Sequence, residues 1–162
     1  MAKLLFFLVV STFLFGDAIK IEFLETRHIE ALNEKTTSKG VIEIETNRAS
    51  IQYFPPHERK ITFENDTITT QTKNAVAQKS AKEEQNIVYM FVIFKAIFEK
   101  DEVTLKNFFE ITHEGRESVL IPLSSSASVS KIIYSHDKEE IKRIELFFWD
   151  DSRITIDVVK KR

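Results

Sequence analysis

Short segments in which apolar and polar residues alternate make up most of the chain. The first starts at Ile19, with Ile21 and Phe23 on one face and Lys20 and Glu22 on the other. A period of two is typical of a strand with one buried face. This first strand runs on to Leu32 or passes into a helical turn within residues 25–32, where the alternation weakens. Residues 33–39 are polar, and Gly40 closes this segment before the next predicted strand.

Further strands are predicted at short, regular spacing on both sides of one long helical segment. Asn65-Asp66 suits a two-residue hairpin turn, because both residue types tolerate a positive φ. Such spacing is typical of an antiparallel meander with one solvated face. The predicted strands are 41–46, 50–54, 59–64, 67–73, 75–79, 109–113, 118–123, 129–135, 142–149 and 153–159.

The longest apolar segment of the chain after its first residues predicts a helix over residues 81–99. Ser80 and Glu83 have the spacing of a capping box at its start. Every residue from 87 to 94 is apolar, and Ala96, Ile97 and Phe98 extend the run past Lys95. The run is shorter than the roughly 20 apolar residues that span a bilayer. A helix apolar all round must be covered on more than one side, either as a central core helix or between a sheet and a bound apolar ligand.

A second, short helix with Asp101 as its N-cap is predicted directly after the first. Val103, Leu105 and Phe108 would be its apolar residues, with Phe109 either at its end or at the start of the next strand. A large, twisted antiparallel sheet tends to curl. The predicted fold class is therefore mainly β (α+β): a curved antiparallel sheet forming an incomplete barrel, with the mid-chain helix pair as lid or core filler.

The first eighteen residues have the features of a secretory signal peptide. Lys3 supplies a positive charge, residues 4–15 are apolar, and Gly16-Asp17-Ala18 places small residues before Ile19. We expect cleavage there, which leaves one domain at residues 19–162. The alternative, an uncleaved N-terminal anchor, is disfavoured by the shortness of the apolar run.

Composition narrows the possible functions. The formal net charge is −2 and the chain has no cysteine. This charge gives no basis for binding nucleic acid or for electrostatic adhesion to an anionic membrane. The absence of cysteine means that an exported domain is held by packing alone, and it excludes a lipid anchor on an N-terminal cysteine.

No pattern typical of an enzyme or of a cofactor site is found. The histidines lack the HxxxH and HExxH spacings of zinc sites, and the chain has no G-x-S-x-G elbow, P-loop or dinucleotide fingerprint. We therefore expect neither catalysis nor a metal or cofactor. Asn65-Asp66-Thr67 matches the short N-x-T sequon, which arises often by chance. The four histidines are His28, His57, His113 and His136.

The order of signal peptide, meander, helix pair and closing meander resembles that of the LolA-like family of periplasmic outer-membrane lipoprotein carriers. Residues 21–44 resemble the family's opening, and 58–69 and 142–158 resemble two of its hairpins. Residues 47–56 resemble its arginine-containing strand, with Arg48, Tyr53 and Pro56 at the matching places. Ala49 and Ile51 stand where members often have proline and tryptophan.

The resemblance implies a periplasmic, monomeric carrier that covers the acyl chains of lipoproteins, or of another acylated lipid, between inner and outer membrane. It also implies an inner-membrane releasing complex and an outer-membrane acceptor as partners. Apolar residues on the sheet and on the long helix would bind the lipid. They are Ile51, Tyr53, Ile61, Phe63, Met90, Phe91, Phe94, Phe98, Leu146, Phe148 and Ile156.

Two hypotheses of different class remain open at this point. A carrier predicts a cavity of several hundred Å3 beside Phe91 and Phe98, the usual scale of ligand pockets. A binding or scaffold module, with its hollow filled by its own helix and its strand edges meeting a partner, predicts close packing there.

Overall fold

The structure, a computed structural model, describes residues 18–162. The predicted signal peptide lies outside these residues, apart from Ala18. Among the described residues, no helix is long and apolar enough to cross a membrane.

The helices are α1 (Gln85–Glu99) and α2 (Glu102–Lys106). The strands are β1 (Ile19–Ile29), β2 (Glu34–Ile44), β3 (Arg48–Tyr53), β4 (Arg59–Glu64), β5 (Thr67–Thr72), β6 (Val76–Ser80), β7 (Phe109–Glu114), β8 (Glu117–Pro122), β9 (Val129–Asp137), β10 (Glu140–Phe148) and β11 (Arg153–Lys161).

All eleven strands belong to one antiparallel sheet. Their spatial order is β6-β5-β4-β3-β2-β1-β11-β10-β9-β8-β7, so neighbouring strands are consecutive in sequence everywhere except at the centre. There the first strand pairs with the last, and Phe23 lies opposite Val158. The sheet is open, with β6 and β7 as its edges. The predicted mainly-β class, with a sheet not closed into a barrel and two helices in mid-chain, is confirmed.

The second strand begins earlier than the predicted start at residue 41 and includes most of the polar segment 33–39. Residues 34–39 form the first half of β2, and the pairing with β1 is continuous from Glu34 opposite Ile29 to Ile44 opposite Ile19. The reversal takes place at Asn33, whose φ of 49° is left-handed, after a three-residue 3-10 turn. A strand with no apolar residues forms here because β1 offers it a complete set of backbone partners.

The predicted start of α1 is also wrong, although the predicted end at Glu99 is confirmed. The Ser80 amide donates to the Glu83 carboxylate at 2.9 Å, as in a capping box. This interaction closes a turn directly after β6, and the helix begins only at Gln85. The N-cap of α2 matches its prediction, since the Asp101 carboxylate accepts a hydrogen bond of 3.0 Å from the Thr104 amide.

The inner face of the sheet and α1 form one hydrophobic core. The apolar residues of β1, β2 and β3 alternate toward this face, and each strand puts its member opposite that of the next: Ile21 pairs with Ile42, and Ile42 with Ile51. Ile97 of α1 is fully buried in the same cluster. The helix therefore fills much of the hollow that the sheet encloses.

Candidate functional site

The two halves of α1 are covered to different extents. From Ile93 onward its apolar side chains are buried, and Phe94 and Phe98 are 2% and 3% exposed. In the first half, Ile87 and Met90 are only half-buried, and Val92 is 37% exposed. The second half is thus a core helix, whereas the first half leaves apolar surface partly open.

An apolar cleft of about 350 Å3 opens beside the middle of α1. Phe91 and Val92 form the helix side, and Ile44, Ala49 and Phe63 form the sheet side. Phe63 lies opposite both Ala49 and Ile68 in the sheet, so β3, β4 and β5 together hold it at this place. The cleft is completed by the β2–β3 turn, by Asn65 and Asp66 of the β4–β5 turn, and by Lys95.

Charged side chains line the cleft together with this apolar surface. Arg48 and Lys95 are the cations, and Glu45 and Asp66 the anions. Arg48, Glu45 and Asp66 are exposed, whereas Phe91 is 3% exposed. Apolar walls with polar groups at the solvent side are suited to an amphiphile whose chain enters the cleft and whose head stays in water.

The predicted lipid-binding residues divide between this cleft and the closed core. Phe63 and Phe91 line the cleft, and Ile51 and Ile61 form the next cross-strand pair on the same face. Phe98 does not line it, and the lipid-binding role of all of these residues remains a prediction. Met90 and Phe148 are half-buried, whereas Phe94, Phe98, Leu146 and Ile156 belong to the buried core.

A second, polar pocket of about 240 Å3 contains the remaining predicted residue, Tyr53. It lies at the other end of β3, on the same face of the sheet. Since Ala49 and Tyr53 are four residues apart, the polar pocket and the apolar cleft are separated by about 13 Å along the strand. The pocket is lined by Glu25, Arg27, Thr36, Ser38, Tyr53, His57 and Arg59.

The buried carboxylate of Glu25 organises the polar pocket. Glu25 is 6% exposed, and it accepts hydrogen bonds from the Tyr53 hydroxyl at 2.8 Å and from Nη2 of Arg27 at 3.2 Å. The ring of Phe23 packs edge-on against Tyr53, and the guanidinium of Arg59 lies 4.6 Å from the centre of the Tyr53 ring. Burial, reinforced by Glu25, raises the pKa of Tyr53 to about 12.

The polar pocket was not predicted from the sequence, although a signal for it was present. Glu25 and Arg27 continue the alternation of Ile21 and Phe23, which places them on the inward face of β1. Charged residues are almost never fully buried unless they are paired. Two charges of opposite sign at inward positions therefore indicated a polar site.

Three side chains in contact, Ser118, His113 and Glu102, have the residue types of a nucleophilic triad, but the serine is not accessible to a substrate. Nδ1 of His113 lies 2.9 Å from Oγ of Ser118, and its Nε2 lies 3.1 Å from a carboxylate oxygen of Glu102. Ser118 is only 2% exposed, so a substrate does not reach its hydroxyl in this conformation. Among residues 18–162, no group of three or more His, Asp and Glu side chains could hold a metal ion.

Comparisons with known proteins relate the chain to others through its fold. No protein-family model and no curated protein sequence matches it. Among solved structures, an uncharacterised conserved protein from Thermus thermophilus is similar, with a TM-score of 0.53, 7% identity, and coverage of 90% of this chain and 77% of the other. At this identity the similarity concerns the fold alone.

Two further solved structures were found at lower similarity. A domain from Vibrio parahaemolyticus, provisionally described as an outer membrane lipoprotein-sorting protein domain, has a TM-score of 0.44 and 6% identity, and the alignment covers 90% of this chain and 84% of that one. A LolA superfamily protein from Nitrosomonas europaea has a TM-score of 0.41 and 6% identity, over 90% and 86% of the two chains. These scores are too low to assign a function.

Proposed function

We propose that this protein is a periplasmic carrier that binds acyl chains of lipoproteins, or of a comparable acylated lipid, without covalent chemistry. The observation that supports this most directly is the apolar cleft beside Phe91 and Val92, which adjoins the half-covered part of α1. The sequence resemblance to the LolA-like carriers supports the same function.

Transfer energies explain why such a carrier needs a closed apolar site. Each methylene removed from water contributes about 0.8 kcal/mol, so a sixteen-carbon chain contributes about 12 kcal/mol. The cleft of about 350 Å3 is near the small end of the usual range for ligand sites. It accommodates part of such a chain, and a whole chain requires additional space.

Movement of the first half of α1 would supply that space. No side chain caps the start of the helix, and residues 87–90 are only half-buried. The buried second half, with Phe94 and Phe98, would remain on the sheet as an anchor. Helix segments with few buried contacts open at low free-energy cost, and refilling of the cleft by these side chains would favour release of the lipid.

The partners of such a carrier follow from the same resemblance. An inner-membrane complex would load the lipid, an outer-membrane acceptor would take it up, and the carrier would act as a monomer without a cofactor. Export through the signal peptide predicted at residues 1–18 would place it between the two membranes. Nucleic acid has no part in this function.

Native lipid extraction tests the proposal. The full chain is expressed in a bacterium with two membranes, purified from the periplasm without detergent, and extracted for mass spectrometry. We expect acyl lipid or acylated peptide to co-purify, and a dansyl-labelled fatty acid to bind and be displaced by it. Absence of both would contradict the proposal.

A matched pair of variants locates the binding. Val92→Trp fills the cleft from a partly exposed position, and Val103→Trp introduces the same side chain on α2, where the position is 79% exposed. We expect Val92→Trp to weaken binding of the dansyl-labelled fatty acid about tenfold, which equals the loss of about two buried methylenes. Val103→Trp should leave it unchanged. Equal effects in the two variants would place binding elsewhere.

A scaffold module is the second candidate. It is favoured by β6, every residue of which is exposed, because an open strand edge can pair with an extended segment of another protein. A Val76→Pro variant on this edge would then abolish capture of a partner and leave fatty-acid binding unaffected. The carrier hypothesis predicts no such partner at β6.

A further inference from the structure

We infer that the polar pocket binds a small anionic group of the phosphate or carboxylate class, with Arg59 as its main contact. The pocket lies about 13 Å from the apolar cleft along β3, so this inference does not depend on the carrier function. At about 240 Å3 it has room for a small anion or a head group and not for an acyl chain.

The charge of the lining residues favours an anion. Arg27 and Arg59 contribute two positive charges against the single carboxylate of Glu25, and Arg27 is already paired with that carboxylate. No carboxylate among the described residues lies within ion-pair distance of Arg59. The guanidinium of Arg59 therefore brings an uncompensated positive charge to the pocket.

The arginine side chains of the pocket are also held in place by their neighbours. The buried Glu25 fixes Tyr53 through the hydroxyl and Arg27 through its Nη2, and the Tyr53 ring in turn supports the Arg59 guanidinium. A guanidinium held in place loses less side-chain entropy when it binds, and its planar fork matches the oxygens of a carboxylate or phosphate. Thr36 and Ser38 add hydroxyl donors beside it.

The buried carboxylate has a function in this arrangement. Burial of a charge is unfavourable unless the charge is paired and hydrogen-bonded, and a strand that only filled a core would carry an apolar residue at position 25. We assign Glu25, with Tyr53, the role of positioning the two arginines. The anion itself would be held by Arg59, by the hydroxyls and by His57 at the exposed side.

Chemical-shift titration of the 15N-labelled protein with sodium phosphate, and separately with sodium acetate, tests the inference. We expect saturable shifts at Ser38, Tyr53 and Arg59 with at least one of the two anions. Arg59→Gln should weaken binding about tenfold, the loss of one charged hydrogen bond. Lys60→Gln makes the same charge change at the next residue of β4, whose side chain faces the opposite side of the sheet, and should leave binding within about twofold.

A second pair of variants avoids removal of a packed side chain. Thr36 and Thr37 are adjacent and both exposed, but only Thr36 lines the pocket. Thr36→Asp places a competing carboxylate there and should weaken binding about tenfold by like-charge repulsion, whereas Thr37→Asp should not. Absence of saturable shifts with both anions, or equal weakening within either pair of variants, would overturn the inference.

The source of the anionic group is identified by a third titration. Dihexanoyl phosphatidic acid carries the phosphate on a short, soluble lipid. Tighter binding of this lipid than of inorganic phosphate, with the same sensitivity to Thr36→Asp, would identify a lipid head group as the ligand. Equal or weaker binding of the lipid would identify a free small anion.

Discussion

The hydroxyl of Tyr53 on β3 donates a hydrogen bond of 2.8 Å to the carboxylate of Glu25 on β1, across the intervening strand β2. Both groups are buried. The pair connects three neighbouring strands at the end of the sheet away from the apolar cleft. Its contribution can be measured through the tyrosine, because burial raises the pKa of Tyr53 to about 12.

We predict that Tyr53 makes the protein sensitive to alkaline pH. Burial raises its pKa from 10 to about 12 in the folded protein, so folding favours the neutral phenol. The resulting stability is fully present below pH 10 and is lost as the pH rises toward 12, by roughly 3 kcal/mol in all. Urea unfolding from pH 8 to pH 12 measures this loss.

The Tyr53→Phe variant provides the control for that measurement. Loss of the hydroxyl removes one of the two hydrogen bonds to Glu25, and we expect the variant to be less stable at pH 7 by about 2 kcal/mol. Its stability should then fall less steeply above pH 10 than that of the wild type. Parallel pH profiles of the two proteins would show that Tyr53 does not titrate as described.

A glycine at position 40 is required by close packing and not by its backbone conformation. A Cβ at this position would lie 2.8 Å from Cζ of Phe23 and closer still to the backbone oxygen of Gln52. Since the strand backbone cannot move without breaking its pairing, we predict that Gly40→Ala lowers the free energy of unfolding by about 3 kcal/mol. Urea denaturation provides the value.

The exposed Thr37 on the same strand serves as the comparison. Thr37→Ala should change the free energy of unfolding by less than about 1 kcal/mol. If Gly40→Ala were tolerated equally well, the close approach of β2 and β3 at this point would be incorrect.

The two halves of α1 should differ in their contribution to stability. We predict that Phe98→Ala lowers the free energy of unfolding by about 4 kcal/mol, because a large buried side chain leaves a cavity. Val92→Ala, at a position 37% exposed, should cost less than about 1 kcal/mol. Comparable losses at both positions, measured by urea unfolding, would argue against a lid hinged near the middle of α1.

The N-cap of α2 provides a prediction at acidic pH. Hydrogen bonds from the side chain and the amide of Thr104 lower the pKa of the Asp101 carboxyl. The stabilisation is therefore present above the ordinary pKa of an aspartate and is lost as the pH falls through the lowered value. At pH 7 we expect Asp101→Ala to lower Tm by a few degrees.

Asp101→Asn separates the hydrogen bond from the charge. An asparagine oxygen still caps the helix, so the Tm of the Asp101→Asn variant at pH 7 should stay close to that of the wild type. In acid, this variant should not show the decrease in Tm that protonation of Asp101 causes in the wild type. Calorimetry at pH 7 and pH 3 distinguishes the three proteins.

The sequence predicted the strands well wherever one face is buried and one is wet. The hairpin of β4 and β5 was predicted closely, and Asn65 and Asp66 have the expected positive φ of 50° and 57°. The first half of β2 was missed because both of its faces are polar. Its strand conformation depends on pairing with β1, which the pattern of residues 34–39 alone does not report.

The cleft lies beside Phe91 as predicted and not beside Phe98, and the side of α1 that faces it could not be predicted for a related reason. In a helix where every residue from 87 to 94 is apolar, no polar position marks which side faces solvent. Only the packing of the sheet distinguishes the buried Phe94 from the partly exposed Val92. The polar pocket was predictable from the positions of Glu25 and Arg27 in β1. Side chains alternate between the two faces of a strand, so these two residues share the inward face with Ile21 and Phe23.

Pairing of the first strand with the last has a consequence for the newly made chain. Ile21 lies opposite Lys161, so the middle of the sheet depends on contacts between the most distant parts of the sequence. Contacts of such long range slow folding and cannot form before the final strand has left the ribosome. Until that moment β1 and β11 are unpaired with each other, so the newly made chain is incompletely folded, as passage through a narrow translocation channel would require.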